Sequence, residues 1–163
     1  MDLKSFSSKD LINKTCPKTH LNILQYCVLK NSEIKSTVEL FRDKNDLFNT
    51  IFLKKAGTGS SSLTAFELAV SLGNHEAIEV FNNQNLPQVS ILTAKSILQT
   101  AISNDRGSTI GYLMATTLKF LKEDLPDDFQ DLLQYACDQE AKHSVRFLAT
   151  SLNFKQEPTT QNE

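Results

Sequence analysis

The chain has 163 residues, 40% of them apolar and 22% charged, with a formal net charge of −2. That length suits one domain burying about two-thirds of its unfolded surface, and the slightly acidic balance offers no basic face for a nucleic-acid backbone. No run approaches the roughly 20 apolar residues that span a bilayer, so neither nucleic-acid binding nor membrane insertion is expected.

From its first residue the chain lacks the apolar core of a secretory signal. Cys16, Cys27 and Cys137 are odd in number and scattered, which fits reduced thiols better than a disulfide framework. A cytoplasmic protein is expected, with delivery by a specialised secretion system as the alternative. Residues 3–13, with Phe6, Leu11 and Ile12, read as a helix able to cap the N-terminal end of a helical array.

Four segments then share one spaced pattern: an apolar residue, a small one three on, and a second apolar pair. The first is Leu24, Cys27, Val38, Phe41. The next three have identical spacing: Phe66, Ala69, Ile78, Phe81; Leu98, Ala101, Ile110, Leu113; and Leu133, Ala136, Val145, Leu148. Residues three apart share a helical face, so each half of the pattern predicts a helix. Two before each leading residue stands Asn22, Thr64, Ser96 or Asp131, all good helix N-caps. Breaks fall at residues 30–32, 73–74, 104–107 and 139–140. Each repeat therefore reads as helix–turn–helix, with repeats near 20–42, 62–84, 94–122 and 126–152. An extra helix is expected over residues 46–55, followed by a Gly/Ser linker at 56–62. Pro126 suits the first turn of the last repeat's opening helix. Residues 155–163 contain no apolar side chain and predict a disordered polar tail. Strand signals are poor. The expected fold is all-α, one helical-repeat domain over residues 1–154, because each repeat must bury its apolar face on the next.

The second repeat, residues 64–81, resembles an ankyrin repeat. Thr64, Ala69, Gly73, Asn74, Glu76 and Ile78 are similar to the family's Thr-Pro-Leu-His-x-Ala-Ala, Gly-His/Asn and x-Glu-Ile-Val signatures. Ala65 stands in place of the family's proline, and the Gly-Ala-Asp turn is missing. The resemblance, over roughly residues 18–152, implies an ankyrin-like solenoid with irregular loops instead of regular β-hairpins. It also implies a groove lined by the first helices. Carried over position by position, the groove residues are Leu29 and Lys30, Ser71 and Leu72, Ser103 and Asn104, and Asp138 and Gln139. The row before them is Tyr26, Leu68, Thr100 and Tyr135. Two tyrosines suit a protein-binding face, or they pack between repeats. Gln25, Glu67, Gln99 and Gln134, where the family carries histidine, form either a recognition ladder or a row of inter-repeat hydrogen bonds.

Chemistry-bearing clusters are few. Cys16, His20 and Cys27 supply three potential zinc ligands where structural zinc takes four, and Cys27 holds the small core position, so no metal and no other cofactor is expected. Cys137 aligns with Val28, Val70 and Ile102, which predicts a packed thiol with no catalytic partnership to His143. His75 is expected to face solvent. Asp124, Asp127, Asp128 and Asp131 do not follow a calcium-loop spacing and suit a helix start. The expected function is non-catalytic binding of a partner protein by a monomer. The alternatives are a secreted bacterial effector, or a regulator of another effector, acting by binding in a host cell, since the chain resembles short ankyrin-like effector proteins of intracellular bacteria, and a small enzyme.

Overall fold

The computed structural model describes residues 15, 18, 20–42, 63–83, 91–118 and 126–153. All eight elements among them are helices, so the described part of the chain is all-α. The first four are α1 (Ile23–Lys30), α2 (Ile34–Arg42), α3 (Ala65–Leu72) and α4 (His75–Asn82); the second four are α5 (Ile91–Ser103), α6 (Gly107–Ala115), α7 (Pro126–Asp138) and α8 (Lys142–Asn153). The chain divides into two compact units, Met1–Leu86 and Pro87–Glu163. The expected helices at 3–13 and 46–55, the linker and the polar tail lie outside the described residues, as does Cys16.

In the first unit α1 packs on α2 and α3, α3 on α4, and α2 on α4. First helix therefore lies on first helix and second on second, as the repeat requires. Asn22 and Thr64 cap α1 and α3 as expected. Each accepts from the N–H three residues on, and Gln25 and Glu67 reach back to the cap N–H, closing two capping boxes. The buried stripe is Leu24, Cys27 and Val28 on α1, then Phe66, Ala69 and Val70 on α3. Ile34 and Val38 on α2 and Ala77, Ile78 and Phe81 on α4 close it. The small residues let the first helices approach. Phe66 and Phe81 fill the remaining space, with ring centroids 6.3 Å apart.

The second unit repeats that contact scheme: α5 on α6 and α7, α7 on α8, and α6 on α8. Its core holds Ala94, Ile97, Leu98, Ala101 and Ile102 of α5, Ile110, Leu113 and Met114 of α6, Leu132 and Ala136 of α7, and Leu148 of α8. Two glycines bring α6 onto α8. A Cβ on Gly107 would lie 2.6 Å from the His143 carbonyl oxygen, and one on Gly111 would lie 2.9 Å from the Phe147 ring. Gly107 thus opens a helix rather than sitting in the break where the spacing placed it.

Several expectations are corrected here. Ser96 and Asp131 do not cap helices. They sit within α5 and α7, which begin at Ile91 and Pro126. A serine or aspartate is tolerated on an exposed helical face as well as at a cap, and both are exposed. The Ser96 carbonyl accepts from the Thr100 hydroxyl, and Asp131 pairs with Lys95 at 3.7 Å. Pro126 opens α7, as its missing N–H allows. Leu132, not Leu133, is the fully buried leucine of α7, and Leu133 is half-buried. Cys137 is exposed rather than packed, unlike Val28, Val70 and Ile102. Leu133 and Cys137 are four residues apart and so share one edge of α7, which is less covered than the edge bearing Leu132 and Ala136.

All four repeats end their first helix alike. Asn31, Gly73, Asp105 and Glu140 have φ between 48° and 69°, the left-handed region. In each, that residue's N–H bonds the carbonyl three back, and the next N–H bonds the carbonyl five back, as in Asn31 to Val28 and Ser32 to Cys27. This is the Schellman arrangement, and it satisfies carbonyls that a helix end would orphan. Only one of the four is glycine, so the missing glycines of repeats one, three and four do not abolish the turn.

Candidate functional site

The side chains that sequence and resemblance assign to the groove fall into two groups. In the first unit, Tyr26, Leu29 and Lys30 lie along α1, and Leu68, Ser71 and Leu72 along α3. Among the described residues the exposed large hydrophobics are Tyr26 (40%), Leu29 (41%) and Leu72 (37%), and all three belong to this set. Lys30 extends its ammonium over the Tyr26 ring, 5.8 Å from the centroid, a cation–π contact at an exposed site. Leu68 is half-buried. Ser71 is buried, its hydroxyl donating to the Leu68 carbonyl, and so presents little to a partner.

Between the C-terminal ends of α1 and α3 opens a depression of about 440 Å³. It is lined by Val28, Leu29, Asn31, Leu72, Gly73, Asn74, His75 and Glu76. Its base is held rigid across the two repeats. Asn74 caps α4 through its side-chain oxygen and donates from its amide nitrogen to Asn31 Oδ1 at 2.8 Å and to the Val28 carbonyl at 3.4 Å. His75 is half-buried in this wall rather than facing solvent. Neither Asn31 nor His75 is a groove position by the resemblance. Asn31 does carry a signal in the sequence, since asparagine is the usual alternative to glycine at a left-handed helix end.

The second unit turns the same positions to a different use. The Ser103 hydroxyl and the Tyr135 hydroxyl bond at 2.8 Å, joining α5 to α7, and Tyr135 is half-buried. Tyr135 therefore packs between repeats, whereas Tyr26 is exposed. Thr100 bonds back to Ser96, Asn104 bonds back to the Thr100 carbonyl, and Asp138 accepts from Gln134 within α7. Gln139 is exposed. This row is a polar face whose groups largely satisfy one another.

The glutamine row resolves in the same divided way. Gln25 closes its own capping box and also donates to the Leu63 carbonyl just before the next repeat. Glu67 serves its own helix start, and Gln134 its own helix. Of this row, Gln25 makes an inter-repeat bond. Further inter-repeat bonds run through Ser103 and Tyr135 and through the left-handed turns. Asp105 accepts from the Ser144 N–H at 3.0 Å, capping α8, and contacts His143 Nδ1 at 2.7 Å. Burial pushes the Asp105 carboxyl up, but the hydrogen bonds from His143 and Ser144 and the His143 charge outweigh it and hold it below its ordinary value.

Cys27 is buried with its thiol 3.4 Å from the Thr37 hydroxyl, and burial pushes that thiol up, away from nucleophile chemistry. His143 directs its Nδ1 to Asp105. Asp127 and Asp128 fall within α7 (Pro126–Asp138), and Asp124 lies outside the described residues. No group of three metal-ligating side chains occurs among the described residues, and none of their helices is long and apolar enough to cross a membrane. Comparison with family models, curated proteins and solved structures finds no match to this chain.

Proposed function

We propose that this chain is an ankyrin-like interaction module that binds a partner protein, without catalysis, through the first-helix face of its N-terminal unit. One observation carries the reading: the exposed large apolar side chains of the described residues, Tyr26, Leu29 and Leu72, gather on the row that an ankyrin-like groove would use. Exposed apolar area costs solvation unless something covers it, and clustered aromatic and aliphatic anchors are the usual energetic centre of a protein interface. The tied turn at Asn31 and Asn74 holds these anchors in place before binding, which lowers the ordering cost of association.

The test is retention of a partner from cell lysate by the full chain and by Tyr26→Ala/Leu29→Asp. Both residues are exposed, so the variant keeps its helical circular dichroism. Retention should fall by about tenfold or more, as for loss of a hot-spot pair. Unchanged retention, with cross-links mapping to the outer helices near Glu79 or Arg146, would refute the face assignment. Turnover of a substrate by the purified chain would refute the non-catalytic reading.

A further inference from the structure

The depression between α1 and α3 has a chemistry of its own. Its lining includes the aliphatic residues Val28, Leu29 and Leu72, the last two exposed. Its rim is rich in acceptors, because two helices end there side by side. The last four carbonyls of a helix lack intrahelical donors. The turn at Asn31 supplies donors to Cys27 and Val28, and the turn at Gly73 supplies them to Ala69 and Val70. The carbonyls of Leu29, Lys30 and Leu72 receive no backbone donor among the described residues. Both helix ends carry the negative pole of their dipoles, and α3 has no basic residue in its last turn to offset it.

The ionisable groups at the rim sharpen this polarity. Glu76 is exposed on the depression wall with no ion pair among the described residues. It stands in the first turn of α4, so it neutralises the positive end of the one helix that begins here. The nearby cation Lys30 is drawn over the Tyr26 ring.

We propose that this depression takes a basic side chain of the partner, an arginine or lysine with a bulky apolar neighbour. The aliphatic stem of such a residue lies on Leu29 and Leu72 while its charged head meets Glu76 and the terminal carbonyls. The apolar neighbour covers Tyr26. An acidic side chain would place its carboxylate against two helix C-termini and Glu76, which is repulsive. This assignment rests on the first-helix face being the binding face.

The experiment selects ligands for the full chain from a random linear-peptide library and measures their affinities. Enriched peptides should carry arginine or lysine beside a bulky apolar residue. Replacing that basic residue with glutamine, or Glu76→Gln in the protein, should each weaken binding about fivefold, as for one partly exposed charge pair. Leu29→Asp should abolish binding. Peptides that need Leu29 but lack a basic residue, or ignore Glu76→Gln, would overturn the cation assignment and leave the face standing. Peptides indifferent to Leu29→Asp, or a selection that enriches nothing, would overturn both.

Discussion

The two units are built from one local plan and dressed differently. In each, a first helix ends in a left-handed residue, two backbone bonds close the turn, and a second helix returns beneath it. In the N-terminal unit the outward row carries Tyr26, Leu29 and Leu72, uncovered. In the C-terminal unit the same row carries Thr100, Ser103, Asn104, Tyr135 and Asp138, bonded among themselves or to backbone. Core spacing and turn geometry therefore set the fold, while the outward row is free to vary. Proteins tolerate scattered surface apolar groups; among the described residues the exposed large ones gather in one unit, which supports the proposal that a partner covers them.

The inter-repeat ties differ as well, and that difference can be broken by substitution. The largest effect is expected at Gly107, whose added Cβ would strike backbone at 2.6 Å. Gly107→Ala should destabilise the chain by about 1–3 kcal/mol, as overpacking does, read as a lower urea midpoint. The matching change in the N-terminal unit has no such target. A wild-type midpoint would show that α6 and α8 do not approach as closely as described.

Next comes the charged tie of the C-terminal unit. Asp105→Asn keeps a capping side chain for α8 and removes only the charge, so it should cost about 1 kcal/mol at pH 7, given partial solvent screening. The folded-state carboxyl lies below its ordinary value of 3.8, so its contribution is complete above that value and is lost as pH falls through the lowered one. The wild-type and Asp105→Asn stabilities should therefore converge in acid. A gap independent of pH would contradict the charged tie. Asn74→Ala, which removes the neutral tie of the N-terminal unit, should instead leave a gap that does not close in acid.

The smallest effect is a gain. Glu140 adopts φ 54°, where its β-carbon crowds the backbone. Glu140→Gly should raise stability by about 0.5–1 kcal/mol, the left-handed strain relieved less the added unfolded-chain entropy. A loss would mean that the fourth turn is not left-handed.

Much of this plan was legible in the residues. The i, i+3 spacing located helices because burial on one face imposes it, and Asn22 and Thr64 signalled their helix starts because each has a partner at the third position. Ser96 and Asp131 carry the same signal, each with a glutamine (Gln99 or Gln134) at the third position, but α5 and α7 begin earlier and run through them, so neither serves a helix start. The three non-glycine turns are marked less plainly than Gly73 marks its own, although Asn31 and Asp105 are the residue types that most readily take up left-handed backbone after glycine. Gly107 read as a break because a close helix approach leaves no local mark beyond its four-residue spacing to Gly111. The contrast between the faces was the least legible feature. Tyr26 and Tyr135 occupy one repeat position, but Tyr135 bonds Ser103 of the repeat before it, and no repeat precedes Tyr26 among the described residues.

The central claim, that binding belongs to the N-terminal first-helix face, is tested most directly by mapping amide chemical shifts of the full chain during titration with a peptide selected for binding. The account predicts perturbations clustered at residues 26–31 and 68–76, with residues 100–104 and 135–139 unmoved. Perturbations centred on the second set, with the first set silent, would contradict it.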